Sequence, residues 1–292
     1  MTDDERSAAL DAIAAEVAVC KRCRLHEGRT RAVPGEGSAA TEVMFVGEGP
    51  GFNEDRQGRP FVGRAGDLLE KLLESIHWTR DEVFITNFVK CRPPDNRDPE
   101  PDEMAACAPY LARQLSALDP ALVVTLGRFS MGRFRPGAKI SQVHGTFVPA
   151  ADGSSPGDAL TLSLYHPAAA LRQASLEDAL FEDFQAVPAA LIESRKRRET
   201  GHESSAERSV AAEVVEQPSP SVQLPMPAAA APADNVETSA EPGVDEPPTP
   251  APWPEGSRGG EAGPEQAQSP RDQSPSDQPP GDSNQTSQLS LF

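Results

Sequence analysis

The chain has 292 residues, a formal net charge of −18 and four cysteines. Its N-terminal segment, MTDDERSAAL, is acidic and lacks the basic start and apolar stretch of a signal peptide. No segment reaches the roughly 20 apolar residues that a membrane-spanning helix needs, so we expect a cytoplasmic protein without membrane contact. The acidic total is a poor guide to partners, and a basic face for nucleic acid would have to be local.

The composition changes near residue 200. Residues 201–292 hold 16 of the 30 prolines and a net charge of −12 out of −18, with few large apolar residues. Such a segment buries too little apolar surface to offset the entropy lost on ordering. We therefore expect one folded domain over 1–198, followed by a long disordered linker over 199–287.

Hydrophobic periodicity, with helix-start signals, predicts an alternation of helices and strands along the folded part. Helices are predicted at residues 3–19, 64–77, 101–118 and 175–194. Strands are predicted at residues 42–47, 82–89, 121–127 and 159–167, with a hairpin element at 139–149. This alternation is typical of an α/β fold with a mostly parallel central sheet.

Ligands of such sheets bind in a crevice outside the carboxyl ends of the strands. Four stretches of this chain follow predicted strands: GEGPG from Gly47, Asn87, Gly127 with Arg128, and His166 with Pro167. We therefore expect these four stretches to meet in one site.

The stretch at residues 47–63, GEGPGFNEDRQGRPFVG, matches neither common nucleotide loop. It lacks the lysine of a P-loop, and its first glycines are spaced GxGxG rather than GxGxxG. Its five glycines allow the backbone to approach a flat ligand closely. Glu48 offers a carboxylate and Phe61 an aromatic face, so a nucleobase fits this stretch better than a phosphate does.

The four cysteines form a pattern typical of a metal site. Cys20 and Cys23 are separated by two residues, and Cys91 and Cys107 by fifteen. In a reducing compartment this pairing favours metal binding over disulfides or four inert buried thiols. The spacing alone suits both Zn²⁺ and an iron–sulfur cluster.

Four longer motifs resemble those of the iron–sulfur type 4 uracil-DNA glycosylases: GEGPG, EDRQGRPFVGRAGDLL, ITNFVKCRPPDNRDP and HPAAALR. The resemblance covers about residues 14–190, with the same order and cysteine positions. It implies a three-layer α/β/α fold and a [4Fe–4S] cluster on Cys20, Cys23, Cys91 and Cys107. It also implies a monomeric base-excision-repair enzyme that excises uracil from single- or double-stranded DNA and leaves an abasic site.

The resemblance assigns roles to several residues. Uracil would stack on Phe61, contact the backbone amide of Gly49 and be read by the amide of Asn87. His166 would donate a hydrogen bond to the departing uracil oxygen. Glu48 would position the attacking water or stabilise the sugar cation, and Asn96 is a second candidate for handling water.

One position departs from the family pattern. Where many members place a bulky residue four positions after the motif histidine, this chain has Ala170. Leu171, helped by Arg172, is then the predicted wedge that fills the gap left by the flipped base.

The sequence ends QLSLF, in which Gln288, Leu289, Leu291 and Phe292 form a short, mainly apolar peptide after a polar segment. It resembles the pentapeptide by which bacterial repair proteins bind the sliding clamp. A flexible tether with a short apolar anchor is one way to capture a groove on a partner.

Two other readings remain open at this point. The protein could be a module that binds uracil-DNA without turnover. Some relatives in the superfamily bind uracil-DNA covalently through the motif histidine. It could also be a clamp-tethered iron–sulfur scaffold. The joint presence of Glu48, Phe61, Asn87 and His166 favours the enzyme.

Overall fold

A computed structural model describes residues 1–151, 153–155 and 158–213, with the side chains described as far as residue 200. The predicted clamp-binding peptide and most of the predicted linker lie outside these residues. No helix in the described part is long and apolar enough to cross a membrane.

The described residues form a six-stranded sheet of order β1-β3-β2-β4-β6-β5. The strands are β1 (Glu36–Gly37), β2 (Val43–Gly47), β3 (Phe84–Asn87), β4 (Leu122–Leu126), β5 (Phe147–Pro149) and β6 (Leu160–Leu164). The four central strands are parallel, and the two edge strands are antiparallel to their neighbours. The predicted mostly parallel α/β sheet is therefore confirmed.

Helices cover both faces of the sheet. They are α1 (Asp3–Val19), α2 (Leu25–Gly28), α3 (Phe52–Gln57), α4 (Arg64–Ser75), α5 (Pro101–Leu118), α6 (Arg128–Phe134), α7 (Ile140–Val143), α8 (Pro167–Ala170), α9 (Ala174–Phe184) and α10 (Ala186–Glu213). The described part also contains two 3₁₀ turns, Arg80–Glu82 and Pro94–Asn96.

Strand β2 shows why three layers form. All five of its residues are buried, and successive side chains point to opposite faces of the sheet. Met44 and Val46 belong to the core built with α1 and α5, whereas Val43 and Phe45 belong to the core built with α4 and α9. The sheet is thus apolar on both faces, as a three-layer α/β/α fold requires.

Two predicted elements were wrong in detail. The predicted hairpin at 139–149 begins with the helical turn α7, and only β5 is extended, pairing with β6 instead. The predicted closing helix is two helices separated at Gln185, and the second continues to Glu213, past the domain boundary expected at 198. Periodicity cannot detect a one-residue break when the apolar pattern resumes on the same face.

The glycine-rich stretch contains a helix that was not predicted. Helix α3 follows Gly51 and is capped at its C-terminus by Gly58. The φ of Gly58 is 75°, the left-handed conformation that glycine adopts readily. Glycine and proline are frequent around these six residues, and such a composition predicts a loop rather than a helix.

Candidate active site

A cavity of about 480 Å³ opens at the carboxyl ends of β2, β3, β4 and β6. The four predicted stretches all line it, as expected for a parallel sheet. Seven of the residues predicted for the site contribute to its wall: Glu48, Gly49, Phe61, Asn87, Asn96, His166 and Arg172.

Phe61 sits on a loop held from two sides. Its φ of 51° is left-handed, which is uncommon for a non-glycine residue, and its side chain is 5% exposed. The Glu54 carboxylate accepts hydrogen bonds from the backbone N–H groups of Val62 (2.9 Å) and Gly63 (3.0 Å). Arg80 Nη1 donates to the carbonyl of Phe61 at 3.1 Å. These contacts hold the backbone of Phe61 in its strained conformation and place its ring against the cavity.

Gly47 lies where the two base-contacting candidates meet. A Cβ at this position would stand 2.3 Å from Asn87 Oδ1 and 2.7 Å from the Phe61 ring. Both distances are far below van der Waals contact, so any larger residue would displace one of these side chains. The glycine therefore serves the packing of Phe61 and Asn87, rather than only the approach of a ligand.

Asn87 ends β3 and is 2% exposed. Within the described residues, its Oδ1 atom is buried without a hydrogen-bond partner. Buried acceptors without a partner are rare because they lose their hydrogen bonds to water. Asn87 thus lines the cavity and carries an acceptor that no group of the described protein satisfies.

His166 has a defined tautomer. Its Nδ1 accepts a hydrogen bond from the backbone N–H of Ala168 at 3.1 Å, so the neutral ring carries its proton on Nε2. Burial, together with the positive charge of Arg172, lowers the pKa of His166 to about 4. The ring lies 5.7 Å from that of Phe61, nearly parallel to it. His166 is thus a neutral Nε2–H donor near neutral pH.

The pKa of Glu48 is shifted in the opposite direction to that of His166. Burial and the nearby charge of Asp98 raise its pKa to about 7, against a smaller opposing effect of Arg128. Asp98 and Arg128 form an ion pair at the rim. Glu48 is therefore a carboxyl group that exchanges its proton near neutral pH, as acid–base groups of enzymes often do.

Asn96 is placed at the exposed edge of the cavity. It has a left-handed φ of 54°, and its Oδ1 accepts a hydrogen bond from Arg92 Nε at 2.7 Å. Arg172 also lines the cavity and is exposed, whereas Leu171 is half-buried, packs against the core and is not part of the wall. Of the two predicted wedge residues, only Arg172 borders the cavity.

Sequence reasoning missed two residues that build the site. From the sequence, no role is assigned to either of them, Glu54 or Arg80. No local pattern identifies Arg80, because it reaches the Phe61 loop from a 3₁₀ turn nineteen residues away. Glu54 is identified only by the structure, in which a Cβ built at Gly51 would stand 2.7 Å from its carboxylate.

The four cysteines line a second, small cavity of about 10 Å³ between α1, the loop after β3 and α5. Arg29 Nη1 donates to Cys91 Sγ at 3.0 Å, and the backbone N–H of Lys90 donates to Cys107 Sγ at 3.2 Å. Burial raises the pKa of the Cys107 thiol to about 11. Among the described residues, no group of three or more His, Cys, Asp or Glu is arranged to hold one metal ion.

Comparison with known proteins agrees with this architecture. Residues 34–187 match the family model of the uracil DNA glycosylase superfamily. A type-4 uracil-DNA glycosylase of Saccharolobus solfataricus is 47% identical over 197 residues, which are 62% of this chain and 86% of that protein. Type-4 uracil-DNA glycosylases of Sulfurisphaera tokodaii and Archaeoglobus fulgidus are 47% and 42% identical, each over 61% of this chain and over 83% and 91% of their own lengths.

The family model covers more than half of the chain, and each of these relatives is matched over more than four fifths of its length. The described fold has the mostly parallel sheet and the cavity at its carboxyl edge that the alternation of predicted helices and strands implied. The chain therefore belongs to the uracil-DNA glycosylase superfamily, within the type-4 group.

Proposed function

We propose that this protein removes uracil from DNA by hydrolysing the N-glycosidic bond and so leaves an abasic site for base excision repair. The observation that carries the proposal is Asn87, which has a buried, unpartnered Oδ1 and lines a cavity of about 480 Å³ that is large enough to admit a nucleobase. The relatives named type-4 uracil-DNA glycosylase support it.

Asn87 offers the hydrogen-bond pattern that distinguishes uracil from cytosine. Uracil presents an N–H donor beside a carbonyl acceptor, and the side-chain amide presents an acceptor beside a donor. Cytosine presents the reverse pattern, so an amide fixed in this orientation would leave buried groups unpaired. Such a mismatch is a strong source of discrimination in a closed site. Phe61 supplies the face on which the flipped base stacks, and the Gly49 amide adds a backbone contact.

His166 and Glu48 meet the charges that develop as the bond breaks. Negative charge grows on uracil, and the neutral His166 ring donates its Nε2–H toward it. Positive charge grows on the sugar, and the ionised Glu48 carboxylate stabilises that cation or orients the attacking water. Both roles require Glu48 to be charged. Asn96, at the cavity edge, is the second water-handling residue of the proposal.

We also propose that Cys20, Cys23, Cys91 and Cys107 hold a [4Fe–4S] cluster. The proposal is supported by the four thiols lining one cavity, because in such a cluster each thiolate bonds a different iron and the four need not converge on a single ion. The N–H groups of Arg29 and Lys90 that face sulfur suit thiolate ligands. When bound, the cluster would supply cross-links between the N-terminal arm, the loop after β3 and α5.

The test uses anaerobically purified protein and a labelled oligonucleotide with one uracil, followed by alkali cleavage. Wild type should give strand breaks, and Asn87→Ala and His166→Ala should each lose at least about 10²-fold in rate. Gln142→Ala, an exposed amide on α7, is the matched control and should keep wild-type activity.

Two outcomes would contradict the proposal. Tight binding of uracil-DNA without strand breaks would favour a binding module, and an alkali-resistant protein–DNA adduct would point to covalent trapping. Unchanged activity in Asn87→Ala would remove the assigned role of the cavity.

We further propose that residues 288–292 bind the bacterial sliding clamp. Support comes from the sequence QLSLF, with its apolar Leu289, Leu291 and Phe292 at the end of a polar segment. The predicted linker over residues 199–287 would keep the enzyme near clamp-bound DNA. Deleting 288–292 should abolish clamp binding in a titration and leave uracil release in solution unchanged. Equal clamp affinity with and without these residues would refute the proposal.

A further inference from the structure

An aromatic side chain next to two residues that line the cavity, Pro50 and Gly51, is half exposed. Phe52, the first residue of α3, is 51% exposed. The other large apolar residues of comparable exposure in the described chain are Met1, Val19 and Ile192, none of which is aromatic. Burying such a ring would stabilise the protein, so its position in solvent needs a reason.

Two guanidinium groups lie over the ring of Phe52, and the residue keeps 51% of its surface exposed. Arg92 lies 5.2 Å and Arg56 lies 5.6 Å from the centroid of Phe52. Among the described side chains, no carboxylate forms an ion pair with either arginine. The three residues, which we term the Phe52 platform, thus combine a flat apolar surface with positive charge that no carboxylate neutralises.

The platform is fixed to the rim of the cavity. Phe52 follows Pro50 and Gly51, and Arg92 precedes Pro93, and these three neighbours all line the cavity. The two loops that carry the platform are joined by a backbone hydrogen bond from Val89 to the carbonyl of Glu48 at 3.1 Å. Arg92 is oriented by its contact with Asn96. A nucleotide beside one bound in the cavity would therefore meet a surface held in place.

We propose that the Phe52 platform binds a nucleotide adjacent to the uracil, stacking its base on Phe52 and pairing its phosphate with Arg56 and Arg92. The inference rests on the proposed function for the identity of the strand. Its chemistry is that of single-stranded DNA recognition, in which aromatic rings stack bases of any sequence and nearby guanidiniums follow the backbone. The charge selects a nucleic acid over an apolar partner.

The test compares wild type with Phe52→Ala on single-stranded oligonucleotides that carry one uracil. The base on its 5′ or 3′ side is present or replaced by an abasic spacer. Binding is measured by fluorescence anisotropy, and uracil release gives KM. Phe52→Ala should raise Kd and KM about tenfold, within the range for loss of one base–aromatic stack. Ile192→Ala, which removes an equally exposed apolar side chain on α10, is the matched control.

The spacer separates stacking from a general loss of structure. Wild type should bind one of the two spacer oligonucleotides about tenfold more weakly, and Phe52→Ala should show no further loss with that same spacer. If the spacer penalty persists in Phe52→Ala, or if that variant equals Ile192→Ala, the inference is wrong.

Salt dependence tests the arginines. Arg56→Gln should reduce the slope of log Kd against log salt by about 0.7, as expected for one lost phosphate contact on a single strand. Arg197→Gln, an exposed arginine on α10, is its control. Failure of the proposed function would appear differently, as absence of uracil release by wild type, and the anisotropy data would still decide whether the platform binds DNA.

Discussion

Two ionisable side chains of the cavity are shifted in directions that suit different roles. The pKa of His166 is lowered to about 4, so its ring stays neutral at any pH at which the protein would be assayed. The pKa of Glu48 is raised to about 7, so its charge changes within that range. A change of activity near neutral pH is therefore assigned to Glu48.

This assignment predicts the pH dependence of the reaction. Because the proposed roles of Glu48 need the carboxylate, kcat/KM should rise with pH and level off above an apparent pKa of about 7. Glu48→Gln should lower kcat/KM by about 10²-fold and abolish this rise. The measurement is uracil release between pH 5 and 9, and a wild-type profile that is flat through pH 7 would contradict the role.

Stability should respond to pH with the opposite sign. The folded pKa of Glu48 lies above the ordinary value of 4.5, so between these pH values the folded state binds more protons than the unfolded state. Its contribution to the free energy of unfolding should thus fall as pH rises from about 4.5 to about 7. Glu48→Gln should be more stable relative to wild type at pH 8 than at pH 4.5, as measured by urea unfolding.

At the scale of elements, the loop that carries Phe61 depends on a distant turn. Arg80 donates to the carbonyls of Pro60 and Phe61, and its Nε contacts Glu36 on edge strand β1 at 2.7 Å. Its side chain is only 15% exposed. The edge of the sheet therefore holds the loop through one guanidinium, and we infer that Arg80 is a positioning residue for Phe61.

Arg80→Met should raise KM for uracil-DNA about tenfold and destabilise the protein by roughly 2 kcal/mol, since two carbonyls lose their donor. The matched control is Arg59→Met. Arg59 pairs with the same Glu36 but is 56% exposed, and such exposed pairs contribute about 0–1 kcal/mol. Thermal unfolding and steady-state kinetics measure the two effects, and equal KM values for the two variants would contradict the positioning role.

At the scale of the whole molecule, the N-terminal arm packs against α5 through the apolar face of α1, and two of its further attachments lie next to the cysteines. One is the cavity lined by the four cysteines. The other is Arg24, which pairs with Glu100 and Asp102 near the start of α5 and with the buried Glu103. Hydrogen bonding to Arg97 and Arg24 lowers the pKa of Glu103 to about 2, so this attachment keeps its charge down to low pH.

Under the proposed cluster assignment, purified wild type should contain iron and absorb visible light, whereas Cys107→Ser should lose the absorption and most of the iron and should have a looser N-terminal arm. We expect a stability loss of several kcal/mol, because metal binding to thiolates contributes directly to folding. Ala112→Ser, on the same helix, is the control for a new hydroxyl. Metal analysis, limited proteolysis and thermal unfolding measure the outcome, and stoichiometric zinc without iron in wild type would contradict the proposed cluster.

The sequence predicted those features that depend on local pattern. The buried runs of β2, β4 and β6 and the amphipathic pattern of α4 indicated strands and a helix, because burial on one or two faces fixes the spacing of apolar residues. Helix α5 begins at Pro101 and ends at Leu118, as its start signals and periodicity predicted. The alternation of elements then restricted the fold to a parallel sheet with its ligand crevice at the carboxyl edge.

The sequence by itself therefore determined the class of fold, the family and the edge of the sheet at which the site lies. Only the tertiary structure decided that Gly47 makes room for Phe61 and Asn87, that Arg80 holds the Phe61 loop, and that Ala168 fixes the tautomer of His166. The first two depend on groups brought together from distant positions. The third depends on backbone direction at one turn. The periodicity of apolar residues shows which faces of an element are buried. It carries no information about contacts between distant groups or about backbone direction at a turn.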